Sequence, residues 1–74
     1  MTNMQPKKII FAYWHSRKLP HIDIPHNSRM EYTHDLKIQL IDMCVNNGYS
    51  VMVRPANVDG EMIIWVDNGR FGQN

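Results

Sequence analysis

Three histidines, His15, His21 and His26, crowd one segment of the chain, and Cys44 is the only cysteine. Imidazole nitrogen and thiolate together make the donor set of a zinc site. Such sites are assembled from ligand pairs about two to five residues apart, whereas these histidines are spaced by six and five positions, with Pro20 and Pro25 inside the gaps. The spacing therefore predicts exposed loop histidines, with no metal and no cofactor.

Nucleophilic chemistry needs a hydroxyl or thiol beside a base, with a third group to orient the base. The candidates are Ser16, Ser28, Ser50 and Cys44. Ser28 is placed to cap a helix, and Cys44 lies on the apolar stripe of that helix, where a thiol packs as a small hydrophobe. Ser16 is left without a motif around it. Gly48, Gly60, Gly69 and Gly72 are scattered over a helix end, a turn and the tail, so no phosphate-cradling loop is formed. Asp35 and Asp42 fall on the polar side of the helix and imply no acid and base pair. A non-enzymatic protein is expected.

Binding is the remaining chemistry. Lys7, Lys8, His15, Arg17, Lys18, His21 and Arg29 surround Tyr13 and Trp14, and basic groups near stacking rings suit a single-stranded nucleic acid. The first 31 residues hold five basic side chains against two acidic ones, and the rest hold three against five. The net charge is only +1, however, and the pI of about 8.0 is lower than that of dedicated nucleic-acid binders. Two tryptophans and six methionines offer adaptable contact area of the kind that dominates protein interfaces.

The composition thus predicts a small protein-binding regulator or inhibitor. Its size and lean composition suit a phage or mobile-element product that docks on a host complex such as the transcription machinery. A small nucleic-acid-binding protein using the basic, aromatic N-terminal half is the alternative. The expected contact residues are Trp14, His15, Arg17, Lys18, His21, His26, Arg29 and Phe71. The cations would steer, Trp14 would anchor, and Phe71 is an aromatic in an otherwise polar tail.

These residues need a scaffold. Lys8 to Trp14 is a β-branched and aromatic run of strand length with large apolar groups on both faces, which predicts a covered first strand. Residues 15–27, with two prolines and no period, read as a long, stiff loop. Ser28 followed by Glu31 has the form of a capping box and predicts a helix from Arg29 to Asn47. Leu36, Leu40, Ile41, Cys44 and Val45 recur at helical spacing, and Gly48 supplies the positive φ that stops the helix. Tyr49 to Arg54 alternates as a half-buried strand, Pro55 ends it, and a turn over residues 57–60 leads to a strand from Met62 to Asp67.

The stretch Tyr13-Trp14-His15-Ser16-Arg17 after the first strand, with Asn47-Gly48-Tyr49 ahead of the second, resembles the start of a serine recombinase catalytic domain. The arginine that those enzymes carry before the serine is His15 here, and the chain is far shorter than their catalytic domain. No recombinase activity is expected.

The predicted fold is α+β: a single β-α-β-β domain over residues 1–74, with one amphipathic helix on a three-stranded sheet and frayed ends at 1–6 and 69–74. Strands one and two would lie parallel with the helix as their right-handed crossover, and strand three antiparallel to strand two. No segment has the length or apolarity of a membrane span, and the N-terminal residues lack a signal-peptide layout. With no disulfide available to one cysteine, a cytoplasmic protein is expected.

Overall fold

A computed structural model describes residues 6–71. It is an α+β fold: β1 (Lys8–Tyr13), a short 3-10 turn (Trp14–Ser16), β2 (Ser28–Glu31), α1 (His34–Asn46), β3 (Ser50–Pro55) and β4 (Glu61–Asp67). The sheet has four strands rather than the three expected, in the order β2-β1-β4-β3. Of the ends expected to fray, residues 1–5 and 72–74 lie outside the described residues.

The extra strand explains the misplaced start of the helix. Ser28–Glu31 pairs antiparallel with β1, from Phe11 opposite Ser28 to Lys8 opposite Glu31. Met30 turns onto the core while Arg29 and Glu31 stay exposed, which is the period of a strand. Glu31 does not reach back to cap a helix; its carboxylate meets Lys8 Nζ at 2.5 Å across the ladder. The true cap is Thr33, whose extended backbone (φ −136°, ψ 151°) lets Oγ1 accept the Leu36 N–H at 3.0 Å. The helix ends on Asn47, followed by Gly48 at φ +80°.

The strand order also differs from the expectation. β1 pairs parallel with β4, Lys8 opposite Glu61 through Tyr13 opposite Val66, and β3 pairs antiparallel with β4 alone. β3 is therefore not a neighbour of β1 and runs against it. The physical reason lies in the side chains. β4 reads Met-Ile-Ile-Trp-Val, apolar on both faces as a central strand must be, whereas β3 alternates and ends in Pro55, which belongs at an edge.

One face of the sheet carries the core. Ile9, Phe11 and Tyr13 of β1 and Ile64 and Val66 of β4 meet Leu40 and Cys44 of α1, and Leu19 and Ile22 of the loop close the remaining side. Each such side chain contributes about 1.5–3 kcal/mol by leaving water. The loop is thus part of the core rather than an open connection. The opposite face presents Ile10 and Ala12 of β1, Ile63 and Trp65 of β4 and Met52 of β3, by strand alternation in the registers above. On this face Phe71 of the tail packs against Trp14, Arg17 of the loop reaches Asp67, and Ile10 and Ala12 are themselves buried. No helix in the described residues is long and apolar enough to cross a membrane.

Candidate interaction surface

Trp14 leaves β1 on the face opposite the helix. There it makes three edge-on aromatic contacts: with Trp65 at 5.6 Å between centroids, with Phe71 at 5.4 Å and with His15 at 5.0 Å. Edge-to-face packing at these separations is the favoured geometry for aromatic pairs. Met52 stands directly across the ladder from Trp65. Trp14, Trp65, Met52, Ile63 and Phe71 are each only half-buried, so they form an apolar platform with ring area still open to solvent. A cleft of about 270 Å³ opens between Trp14, His15, Ser16 and Trp65.

Three ion pairs occupy much of the charge around the platform. Arg17 Nη2 donates to Asp67 Oδ1 at 2.5 Å, Lys8 pairs with Glu31, and Arg29 Nε lies 3.5 Å from Glu61 Oε2. The ammonium of Lys8, by hydrogen bond and then by charge, holds the Glu31 carboxyl below its ordinary range. Arg54, on the same face as Met52 by alternation, forms no ion pair among the described residues.

The loop behind the platform is held by an unusual backbone. His15 (φ 56°), Ser16 (φ 58°), His21 (φ 66°) and Asn27 (φ 63°) all adopt the left-handed conformation. Asparagine and histidine enter that region more readily than most non-glycine residues, which leaves Ser16 the least favourable of the four. Side-chain hydrogen bonds hold this shape. Tyr13 N–H donates to His26 Nδ1 at 3.0 Å, Tyr13 Oη–H donates to the Ile24 carbonyl, and Tyr49 Oη–H donates to the Pro20 carbonyl. Burial first, then the nearby Cys44 thiolate and Asp23 carboxylate, pushes the Tyr13 phenol above its ordinary value.

His26 also lies 3.2 Å from Ser16 Oγ through Nε2. This contact has the distance of a nucleophile and base pair but the wrong proton. Because Nδ1 accepts from the Tyr13 amide, the neutral ring must carry its proton on Nε2 and donate to Ser16. A ring in that tautomer cannot take the serine proton, so the pair is a structural clamp on the loop.

The expected contact residues thus separate into groups. Trp14, His15 and Phe71 gather on the platform, and Arg29 lies on the same face at its β2 side. Arg17 is at the margin, committed to Asp67. Lys18 and His26 line a smaller cavity of about 210 Å³ with Tyr13, Ser16, Asp23, Ile24 and Pro25. His21 is exposed on the loop, beside buried Ile22. Among the described residues no three of His, Cys, Asp and Glu converge as a metal site would require. Trp65, Met52 and Ile63 were absent from the expected set. Their shared parity with Ala12 and Trp14 was the available signal once β4 is placed beside β1.

Comparison with family models, with curated proteins and with solved structures finds no match to this chain.

Proposed function

We propose that this chain is a non-enzymatic, protein-binding regulator that docks through the open face of its sheet. The observation that carries this reading is the half-buried Trp14–Trp65–Phe71 cluster, with Met52 beside it and a rim of ion pairs around it. Aromatic and methionine side chains at the centre with polar groups at the rim are the anatomy of a protein interface. The same rim favours protein over nucleic acid. A phosphate backbone needs uncommitted cations, and here Lys8, Arg17 and Arg29 already face carboxylates.

A complex of a host cell, such as the transcription machinery, is the class of partner to screen first. The test compares tagged wild-type protein with Trp65→Ala and Lys18→Glu in nuclease-treated lysate, followed by titration of the recovered partner. Trp65→Ala should weaken binding by about 2 kcal/mol, roughly 30-fold, and Lys18→Glu should slow association. Binding that disappears with nuclease in the wild type would instead favour the nucleic-acid reading.

A further inference from the structure

The two edges of the sheet are built differently. On β2, the Tyr32 N–H donates to the Lys7 carbonyl at 2.9 Å, so ladder alternation turns the backbone groups of Arg29 and Glu31 outward. That edge is four residues long, and both outward residues are charged, which discourages pairing with another strand.

The edge of β3 has no such protection. Ala56 N–H donates to the Glu61 carbonyl at 3.0 Å, in register with the β3–β4 ladder. Alternation then directs the backbone of Ser50, Met52 and Arg54 toward β4, and that of Val51, Val53 and Pro55 outward. Pro55 has no N–H to leave unpaired. Among the described residues, Val51 and Val53 each present an unpaired N–H and C=O from uncharged, β-branched positions. The exposed large hydrophobic residues among those described, Ile38, Val45, Val53 and Val58, lie on α1, on β3 or in the turn after it. α1 in turn approaches β3.

We infer that β3 pairs antiparallel with β3 of a second copy of this chain about a two-fold axis at Met52, joining two sheets into one. Val51-Met52-Val53 reads the same in both directions, so this register sets Met52 opposite Met52 and lets each Val51 exchange both backbone hydrogen bonds with Val53 of the second copy. The one charged residue of the strand, Arg54, falls opposite Ser50, so no like charges face each other. Pro55 lies beyond the paired stretch. A net charge of +1 gives two copies little long-range repulsion. The pairing runs through the backbone of β3 and meets the platform proposed above at Met52, and it would set two platforms side by side on one surface.

Sedimentation velocity over about a hundredfold range of concentration tests the pairing. The expected result is a concentration-dependent shift toward twice the 8.7 kDa chain mass, abolished in Val53→Lys while its thermal unfolding stays cooperative. Oxidative cross-linking of Met52→Cys gives a second readout. Opposed residues of a non-hydrogen-bonded pair have Cα atoms about 4.5 Å apart, within the disulfide range, while the native Cys44 is buried and unreactive. Met52→Cys should form disulfide-linked dimers many times faster than Val58→Cys in the turn. A wild type that stays monomeric throughout, or equal cross-linking of the two variants, would overturn the pairing.

Discussion

Arg17 Nη2 and Asp67 Oδ1 meet at 2.5 Å, joining the loop after β1 to the last residue of β4. Asp67 is almost fully buried, and among the described residues its Oδ1 accepts, besides Arg17, the neighbouring Asn68 N–H at 2.9 Å. Arg17→Ala should therefore destabilise the fold by about 1–3 kcal/mol, the cost of leaving a buried carboxylate without its charged partner. Asp67→Asn should recover part of that loss in the double variant, measured by urea unfolding. Additive single-variant effects would show that the pair does not hold the loop. It follows that charge reversal at Arg17 is a poor probe of binding, and Lys18 is the cleaner one.

The helix start can be separated from its look-alike. Thr33→Ala removes the acceptor for the Leu36 amide and should cost about 1 kcal/mol, or about 4–8 °C in Tm for a domain of this size. Ser28→Ala, at the start of β2, should stay within about 0.5 kcal/mol of the parent. The reverse ranking would restore Ser28 as the cap.

Stability should fall at alkaline pH. Burial pushes the Cys44 thiol up to about 11 and also raises the Tyr13 phenol. In both cases the fold retains the neutral form while the unfolded chain releases its proton first. The stabilisation is complete at neutral pH and is lost as pH climbs from the ordinary thiol range toward about 11. Thermal melts across that window should show a falling Tm. Cys44→Ala should start lower and fall less steeply, and a parallel slope would assign the effect to other groups.

Nitrogen NMR shifts of His26 provide a direct check on the loop clamp. The neutral ring should show a protonated Nε2 and a lone pair on Nδ1, as the Tyr13 amide requires. The opposite tautomer would free Nε2 to act as a base on Ser16 and reopen the catalytic reading.

Much of the scaffold was legible because its residues act locally. The β-branched run of β1, the 3.6-residue recurrence of Leu36, Leu40 and Cys44, and the alternation of β3 each report their own element. β2 was hidden because Ser28-Arg29-Met30-Glu31 satisfies two local rules at once, and only the distant partner strand decides between them. The strand order was obscured for the same reason, although Pro55 and the two-sided apolar run of β4 carried a hint. Arg17 reads as a free cation until Asp67, far along the chain, is brought beside it. The expectation of a host complex drew on size and composition, and no single residue bears it.

The parallel pairing of β1 with β4 has a consequence for how the chain comes into being. Residues 8–13 wait for residues 61–66 as their partners, so the central ladder closes a loop spanning most of the polypeptide. During synthesis the first strand must leave the ribosome long before β4 exists, with the short β2 hairpin and α1 to shield it. Loop closure of that length is entropically costly until the final contacts form, so folding should be late and all-or-none. A nascent chain stopped before Glu61 would hold the β1–β2 hairpin and an unpaired β3 with no strand to join them, a natural target for chaperones or proteases.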